Sequence, residues 1–439
     1  MKSVIVIGGG AAGMMAAVFA ARARAEVTLL EKNEKLGKKI YITGKGRCNL
    51  TNACDLPEFA EHVVTNRQFL QSALHGFTNA DVCELFEELG MPVKTERGNR
   101  VFPVSDKSSD VIRALERECR RLRVAVRLHT EVKSIRTEAI AEKPESGDEA
   151  SAAASKKKKS KITATARAAG VVLSDGTVLA SDAVILATGG LSYPTTGSTG
   201  DGYRMAKALG HGVTRLVPSL VSLTARESFC ATLAGLSLRN VSVRFCNKDG
   251  KVLREEFGEL LFTHKGISGP VVLTATAFAA DALVGGTCEI DLKPALSDEQ
   301  WNARVLRELE AGKSRQMKTV VGAFAPAALG AELLTVSGID PAKTAGSVTR
   351  EERMRLAGAF RHLTLHIDGM GGYNEAVVTK GGIEVSEVNP STMESRLVKG
   401  LYLAGEVLDV DATTGGFNLQ IAWSTGALAG QSAARGDDA

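Results

Sequence analysis

The first 31 residues predict a strand, a glycine-rich turn, a helix and a second strand that ends in an acidic residue. The run SVIVIG is typical of a buried parallel strand, and GGGAAG places Gly8, Gly10 and Gly13 in GxGxxG register. Gly8 permits a tight turn, Gly10 lets backbone approach a pyrophosphate, and Gly13 allows the helix to pack closely. Glu31 follows at the spacing of a ribose-binding carboxylate. The segment therefore predicts a dinucleotide site with phosphate at the helix N-terminus.

Composition indicates a large α/β protein and excludes several other classes. The chain has 439 residues, of which 44% are hydrophobic and only 5% aromatic. Its seven cysteines form no CxxC pair, and no Cys/His cluster has zinc spacing, which predicts reduced thiols in a cytoplasmic protein and no metal site. No apolar run reaches the length that spans a bilayer, so we expect no membrane association.

The stretch GKKIYITGKGRCNLTN, which follows Glu31, carries a second anion-binding signal. Gly44 and Gly46 can expose successive backbone N–H groups as an anion nest. Arg47 adds a planar guanidinium that suits a phosphate. Placed beside the first glycine turn, such a loop can extend along a bound FAD; the alternative interpretation is a solvated basic loop.

Two later strands end in small residues that also suit a cofactor crevice. The run DAVILATGG ends at Thr188, Gly189 and Gly190, and the carboxyl ends of strands line the ligand crevice of a doubly wound sheet. The run KGLYLAGEVLDVDATTGGFNLQIAWSTGALAG predicts a strand, a glycine-rich loop and a helix from about Asn418. A flavin needs this second helix N-terminus to stabilise charge near N1 and O2, whereas NAD dehydrogenases do not generally need it. The pattern favours FAD over NAD.

Residues 143–160 have a low-complexity composition that predicts a disordered insertion at a hairpin tip. Their Lys156–Lys159 run suggests nucleic-acid or membrane binding as an alternative to a solvated loop. Residues 142–161 hold six lysines against four acids, so the rest of the chain contributes only +2 to the net charge of +4. We therefore expect that nucleic acid is not a partner.

The pattern changes in the middle of the chain. Residues 196–361 begin with strand-rich runs and continue with helix-rich ones, which predicts an inserted β-barrel and helical domain that covers or selects the substrate. Residues 1–195 and 362–439 then form the two parts of the FAD-binding domain. The pair His362 and His366 has helical i,i+4 spacing, but RHLTLHID fits a strand equally well, so a metal site there is not favoured.

Together with GSTGDGY and FTHKGISGP, these motifs make the sequence similar to the BaiN-like, aminoacetone-oxidase-like family of FAD-binding flavoproteins. The likeness covers nearly the whole chain, although the long lysine-rich insertion departs from the family's short hairpin. It implies an α/β fold with a discontinuous Rossmann-like FAD-binding domain of the glutathione-reductase type and an inserted β-barrel plus small helical domain. The resemblance and the motifs predict FAD contacts from Gly8, Gly10, Ala11, Ala12, Gly13, Glu31, Lys32, Gly44, Gly46, Arg47, Cys48, Asn49, Val132, Thr188, Gly189, Gly190, Gly405, Glu406, Gly416, Asn418 and Leu419.

The resemblance implies an FAD-dependent oxidoreductase that transfers a hydride between flavin N5 and a small organic substrate, an enone-type double bond or an amine. No second GxGxxG follows a strand, so NAD(P)H is expected only as a transient visitor. His264, in FTHKGISGP, and Tyr193, after ATGG, are the candidate proton donors or acceptors; the alternative for the His264 stretch is a packing elbow. Two other functions stay open: a non-catalytic or regulatory flavoprotein, and an FAD-dependent RNA-modifying protein. The oligomeric state and the substrate are not predicted.

Overall fold

The computed structural model describes residues 1–140 and 164–435, which form two compact units. The first unit comprises Met1–Val217 and Val378–Ala439, and the second comprises Pro218–Val377. The insertion predicted at residues 143–160 lies outside the described residues.

Among the described residues up to Ser219, the chain forms eleven strands and seven α-helices. The strands are β1 (Ser3–Ile7), β2 (Glu26–Leu30), β3 (Thr51–Asn52), β4 (Val93–Glu96), β5 (Arg100–Pro103), β6 (Ala125–Arg127), β7 (Val132–Ala139), β8 (Ala166–Leu173), β9 (Val178–Ala180), β10 (Ala183–Leu186) and β11 (Val217–Ser219), the last at the unit boundary. The helices are α1 (Ala11–Arg22), α2 (Lys38–Ile42), α3 (Leu56–His62), α4 (Gln71–Gly76), α5 (Asn79–Glu88), α6 (Ser108–Arg121) and α7 (Asp201–Ala208).

The second unit and the return to the first complete the list of elements. The second unit holds β12 (Leu223–Ala225), α8 (Phe229–Thr232), β13 (Ser237–Cys246), β14 (Val252–Thr263), β15 (Gly266–Ser268), α9 (Pro270–Ala279), β16 (Thr287–Asp291), α10 (Asp298–Ala311), α11 (Met317–Val321), α12 (Ala327–Val336), α13 (Arg350–Arg361) and β17 (Leu363–Met370). The return adds β18 (Val378–Lys380), β19 (Val398–Lys399), β20 (Leu401–Leu403) and α14 (Phe417–Arg435).

A five-stranded parallel sheet in the order β20-β10-β1-β2-β6 forms the centre of the first unit. Its middle strand β1 aligns Val6 with Leu29 of β2 and with Ile185 of β10, and all three side chains are fully buried. Because the strands are parallel, the loops after β1, β2, β10 and β20 emerge at one edge of the sheet. The predicted glycine turns therefore converge at that edge.

Helices α1 and α14 pack against each other through small residues. A Cβ built on Gly426 would lie 2.4 Å from the backbone oxygen of Ala12, and one on Gly430 would lie 2.3 Å from that of Ala16. Real Cβ atoms cannot come so close, so the two helices approach through glycine. The Ala- and Gly-rich composition of both helices thus has a direct packing reason.

The second unit contains a closed six-stranded barrel in the order β12-β15-β14-β13-β16-β17. Its strands alternate buried and exposed positions, as in β17, where Leu363, Leu365 and Ile367 are buried. Helices α10 to α13 share one hydrophobic core with the barrel, and in it the ring centroids of Trp301 and Phe360 are 5.0 Å apart. The predicted inserted barrel and helical region are confirmed.

The unit boundaries differ from those predicted at 195/196 and 361/362. Helix α7 and the residues after it belong to the first unit, where His211 Nδ1 lies 2.9 Å from Glu387 Oε2. Strand β17, assigned from sequence to the FAD-binding domain, closes the barrel between β16 and β12. Because a barrel is completed by long-range pairing, its last strand gives no local signal. Within the described ranges, the structure also contains no helix with the length and apolarity needed to cross a membrane.

Candidate functional site

The glycine turn between β1 and α1 has the geometry that its sequence predicts. Gly8 has φ of +103° and donates its N–H to Leu30 O at 2.8 Å. A Cβ on Gly13 would lie 1.8 Å from Gly8 O, so α1 starts in direct contact with the turn. A Cβ on Gly10 would instead meet no atom within 4 Å. Gly8 and Gly13 are thus required by packing, whereas Gly10 faces open space at the helix N-terminus, where an anion is favoured.

Glu31 is held at the mouth of this turn by contacts that the sequence did not reveal. The residue is only 8% exposed, and its Oε2 accepts the N–H of Gly9 at 2.7 Å. Its Oε1 accepts the backbone N–H of Asn33 at 2.8 Å and the Asn33 side-chain amide at 2.6 Å. Since a carboxylate offers about four acceptor positions, it retains capacity for one further donor. Gly9 and Asn33 thus hold the Glu31 carboxylate in place, which the sequence motifs did not predict.

Two further predicted FAD contacts, Lys32 and Val132, lie close to Glu31 in the fold. Lys32 pairs with Asp201, and its Nζ also lies 2.6 Å from Thr199 Oγ1, so its ammonium is already engaged. Val132 begins β7, and the chain reaches it through Thr130, whose N–H donates to Glu31 O at 2.9 Å. The FAD contact predicted for Val132 remains a prediction.

The loop from Thr43 to Asn49 has an unusual left-handed backbone. Gly44, Lys45 and Gly46 follow one another with φ of +61°, +58° and +86°, and Cys48 also has a positive φ. Such a run costs conformational energy at the non-glycine positions, which the fold must offset. The Cys48 thiol is fully buried, and burial raises its pKa to about 12, so this side chain is a protonated packing group. Any cofactor contact of Cys48 would come from its backbone.

Arg47 uses its guanidinium differently from the sequence prediction. Its Nε lies 2.9 Å from Asp106 Oδ1, its Nη2 pairs with Glu96, and its guanidinium carbon lies 4.2 Å from the ring centre of Phe102. The two carboxylates occupy the fork that was assigned to a phosphate. A phosphate contact by this side chain stays a prediction, and it would require an exchange of partners.

The ends of β10 and β20 meet the glycine turn from the other side. Ala187 N–H donates to Ile7 O at 2.9 Å, and a Cβ on Gly405 would lie 2.7 Å from the Cβ of Ala12. Next in the chain, the hydroxyl of Thr188 is buried without a hydrogen-bond partner. The structure therefore brings the predicted residues Thr188, Gly189, Gly190 and Gly405 to the edge that carries the GxGxxG turn.

A charged cluster at this edge was only partly predicted. Glu406 Oε2 lies 2.6 Å from Lys39 Nζ, while its Oε1 accepts the Ser192 hydroxyl and the Thr379 N–H, each at 2.8 Å. Lys39 Nζ also lies 2.7 Å from Ser192 Oγ. Burial alone would raise the pKa of Glu406, but the Lys39 ammonium and the hydrogen bonds outweigh it and leave that pKa below its usual value. Glu406 was predicted as a cofactor contact; its three partners were not predicted.

The start of α14 is positioned by backbone contacts and by the Asn418 side chain. A Cβ on Gly416 would lie 2.4 Å from Thr51 O, and Trp423 Nε1 donates to Leu50 O at 2.9 Å. The amide of Asn418 closes the preceding loop, since its Oδ1 accepts the Ala412 N–H at 3.0 Å and its Nδ2 donates to Ala412 O at 2.7 Å. The Gly44–Asn49 loop and the α14 N-terminus are thus joined through residues 50–52. The side chain of Asn418 thus holds the loop before α14 in place, and the half-buried Leu419 packs against the core.

The two candidate proton donors lie in different units. Tyr193 belongs to the first unit, follows Ser192 directly and has φ of +53°, an uncommon backbone conformation for an aromatic residue. His264 belongs to the second unit and is exposed in the two-residue turn between β14 and β15. His362 directly follows α13 and contacts Glu289. His366 lies in β17 and contacts Glu227. The part of the chain that the structure describes contains no cluster of three or more potential metal ligands.

Three independent observations show that the edge fits an extended polar cofactor. Asn49 Oδ1 and Thr188 Oγ1 are buried polar atoms without partners, and a Cβ on Gly10 would point into open space. A buried polar atom without a partner costs free energy unless a ligand or water satisfies it. The residues present therefore suit a bound dinucleotide, with Glu31 at one end of the arrangement and the α14 N-terminus at the other.

Comparison with known proteins identifies the family. A family model described as HI0933-like protein Rossmann domain matches residues 2–432. The chain belongs to this family. The resemblance to BaiN-like flavoproteins drawn from the sequence motifs is thereby confirmed, as is the Rossmann-type FAD-binding fold.

Individual relatives extend over almost the whole chain. The 3-dehydro-bile acid delta(4,6)-reductase of Clostridium scindens is 33% identical over 99% of both chains. The ribosomal RNA dihydrouridine synthase of Haemophilus influenzae is 30% identical over 96% of both chains. The solved 3-ketosteroid-delta4-(5alpha)-dehydrogenase of Rhodococcus jostii, 16% identical, superposes with a TM-score of 0.52 over 99% of this chain and 97% of that one, which supports the fold. The protein is an FAD-dependent oxidoreductase.

Replacing Glu31 with Ala is expected to weaken FAD binding by about 1.5–3 kcal/mol, or about 10- to 150-fold, because a charged hydrogen-bond partner of the cofactor is lost. The dissociation constant can be measured by titrating apoprotein with FAD and following flavin fluorescence. Glu26→Ala is a matched control, since Glu26 is exposed at the other end of β2. Unchanged affinity in the Glu31 variant would remove this residue from the cofactor site.

Replacing Glu406 with Gln is expected to lower the free energy of unfolding by about 1–3 kcal/mol at pH 7, because the Lys39 charge loses its partner. The pKa of Glu406 is lower in the folded protein than in the unfolded chain, where it is about 4.3. The ionised carboxylate therefore stabilises the fold fully above about pH 4.3, and this stabilisation is lost as the pH falls through the folded-state pKa. The difference between wild type and variant should therefore shrink below about pH 4.3. Urea unfolding over this pH range measures it, and Glu87→Gln, at an exposed position of α5, is the control. A difference that stays constant with pH would contradict the assignment.

Proposed function

We propose that the protein reduces a carbon–carbon double bond that is conjugated to a carbonyl group. One observation carries the proposal: the two relatives above have different substrates in their names but one chemistry. A double bond at position 4 of a 3-oxo bile acid is conjugated to the 3-carbonyl, and the 5,6 double bond of uridine is conjugated to the 4-carbonyl. This shared chemistry favours the enone prediction over amine oxidation and over a non-catalytic role.

The substrate we propose is a small organic enone and not an RNA. The relative named for a bile acid is 33% identical to this chain, and the two named for ribosomal RNA are 30% identical. These identities are too similar to decide between the two substrates. The basic run Lys156–Lys159, which suggested RNA, lies outside the described residues, and the rest of the chain is nearly neutral. A large polyanion generally needs a basic surface, which the net charge does not indicate.

Bound FAD, once reduced by the electron donor, would supply the hydride. This chain's residues would supply binding, orientation and the proton. Lys39 and Glu406 fix the loops after β10 and β20 relative to α2, which holds the edge of the site in one shape. The proton for the second carbon of the double bond would come from His264 or Tyr193. The reaction balances when one hydride and one proton add across the double bond.

We propose NAD(P)H as the electron donor, arriving transiently because the sequence contains no second GxGxxG turn. The overall reaction then consumes NAD(P)H, a proton and the enone and yields NAD(P)⁺ and the saturated ketone. The direction is reduction of the substrate.

Anaerobic stopped-flow spectroscopy of the FAD-loaded protein tests the proposal. NADH or NADPH should bleach the flavin absorption, and a 3-oxo-4-ene steroid acid should restore it with formation of the saturated ketone. The saturated ketone itself is the matched control and should leave the flavin reduced. Unmodified ribosomal RNA and a small amine are tested in parallel.

Three results would overturn the proposal in different ways. Reoxidation by RNA alone would move the substrate to uridine while keeping the chemistry. Reduction of the oxidised flavin by the amine would replace ene reduction by amine oxidation. Failure of every enone to reoxidise a flavin that NAD(P)H reduces would remove ene reduction altogether.

A further inference from the structure

A cavity of about 620 Å³ lies in the first unit, between two segments that the cofactor site does not use. One wall is formed by Val63–Phe69, which links α3 to α4. The other is formed by residues between Val385 and Arg396, which precede β19. The volume is in the range of sites that bind small organic molecules.

About half of the wall of this cavity is apolar. Val63 and Phe69 are 7% and 8% exposed, and Val388 is fully buried. Val385 and Pro390 extend the same surface. A wall that combines apolar and polar groups suits a ligand with an apolar body and a polar end, because burial of the apolar body adds to the affinity.

Two arginines add positive charge to the rim. Arg67 and Arg396 are exposed, and neither guanidinium takes part in an ion pair among the described residues. The carboxylates of the 385–396 segment are engaged elsewhere: Glu387 Oε2 accepts the Gly212 N–H at 2.9 Å, and Glu394 Oε1 accepts the Gly400 N–H at 2.8 Å. The segment therefore presents the Arg396 charge to the cavity without a neutralising partner.

Hydrogen bonds of the buried His211 hold residues 385–396, which form the second wall of the cavity, in place. His211 is 3% exposed; its Nε2 lies 2.9 Å from Ser395 Oγ and its Nδ1 lies 2.9 Å from Glu387 Oε2. Ser395 Oγ also accepts the N–H groups of Leu397 and Val398, so it is fully used as a structural group. Burial lowers the pKa of His211 despite the neighbouring Glu387, which favours the neutral ring as a bridge between the two side chains. The wall is thus preorganised, which reduces the entropy cost of binding.

The opposite wall is joined to the loop that leads into α14. Val64 N–H donates to Asp411 O at 2.8 Å, and Asn66 Nδ2 donates to Asp409 O at 2.7 Å. Asn66 Nδ2 also lies 3.3 Å from the Asp409 carboxylate, which therefore stands behind the cavity wall. A ligand in the cavity can therefore change the surroundings of Asp409 and Asp411, which lie in the loop before α14.

We propose that this cavity binds an organic anion with an apolar body, held by the guanidiniums of Arg67 and Arg396. A guanidinium recognises a carboxylate through two parallel N–H donors, and the valines, Phe69 and Pro390 would cover the apolar body. The site stands apart from the reaction proposed above, so the two can be tested separately.

Calorimetric titration of the FAD-loaded protein with decanoate, below its micelle concentration, tests the proposal. We expect saturable binding with one site per chain, and a perturbation of the flavin absorption spectrum during the titration. Arg67→Gln and Arg396→Gln should each weaken binding about tenfold or more, because a charged hydrogen bond is lost. Arg239→Gln, at an exposed position of the barrel unit, should leave binding unchanged.

Gln68→Trp gives a second, independent readout. Gln68 is an exposed lining residue, so a bulky side chain there should fill the cavity and abolish decanoate binding without lowering the melting temperature. Binding of decan-1-ol as tight as that of decanoate would overturn the anion assignment. Wild-type affinity in both arginine variants, or in the Gln68 variant, would overturn the location.

Discussion

Replacing His264 with Ala is expected to slow reoxidation of the reduced flavin by an enone about 100- to 10,000-fold, the usual contribution of a positioned proton donor. A histidine ring can both donate and accept a proton, so it can supply one while the hydride is transferred. Because His264 is exposed in the turn between β14 and β15, its replacement should leave the packing of the barrel unchanged. We therefore expect the variant to keep its FAD content and melting temperature. Rapid-mixing absorbance measurements give the rate.

Two matched variants separate catalysis from packing. Lys265→Ala changes the neighbouring exposed residue of the same turn and should react at the wild-type rate. Tyr193→Phe removes the competing donor, a phenol held on a left-handed backbone. A large loss in the Tyr193 variant with normal rates in the His264 variant would assign the proton to Tyr193. Loss of stability with normal turnover in His264→Ala would make the histidine a packing residue.

Replacing Gly13 with Ala is expected to destabilise the fold by about 3 kcal/mol, because the new methyl would lie 1.8 Å from Gly8 O. The turn and the start of α1 must then separate, which also displaces the N–H groups that face the cofactor. FAD affinity should fall by about 100-fold as a result. Urea unfolding of the apoprotein and FAD titration measure the two effects independently.

Two other glycines serve as controls for this variant. A methyl on Gly10 would meet no protein atom within 4 Å, and Gly10 has φ of −83°, which any residue adopts. Gly10→Ala should therefore keep the stability of the apoprotein yet weaken FAD binding, because its methyl enters the space assigned to the pyrophosphate. Gly358→Ala, in an uncrowded position of α13, should be neutral or stabilising by up to about 1 kcal/mol. Equal FAD affinity in Gly10→Ala and wild type would place the pyrophosphate elsewhere.

Short-range patterns predicted the elements at the sheet edge well. The run SVIVIG became β1, and the helix expected from about Asn418 begins at Phe417. The positions of Gly8 and Gly13 followed from the motif because a turn and a close helix contact are local requirements. The same holds for Asp175-Gly176, a dipeptide typical of a tight turn, which lies between the paired strands β8 and β9.

Long-range partners could not be predicted from the sequence. Arg47 was assigned to a phosphate because nothing near it in the chain shows that Glu96 and Asp106 approach it. Lys39 and Glu406 are 367 positions apart, and only the folded sheet brings them within hydrogen-bond distance. Lysines in a basic stretch all have the same local signature, so the one that meets a buried carboxylate is not distinguishable by composition.

Because α1 packs against α14, the first unit cannot complete its fold until α14 has been synthesised. Gly426 and Gly430 rest on Ala12 and Ala16, yet about 400 residues separate the two helices, so at typical rates the ribosome needs roughly 20–80 s to supply the partner of α1. The second unit, in contrast, is one continuous segment and can complete its barrel earlier. During that interval the nascent chain exposes the apolar surface of α1 and its sheet, a form that chaperones commonly hold. We therefore expect FAD to bind only after translation of α14. A chain truncated between Met370 and Gly426 should hold all six barrel strands but lack the α1–α14 contact and bind no FAD.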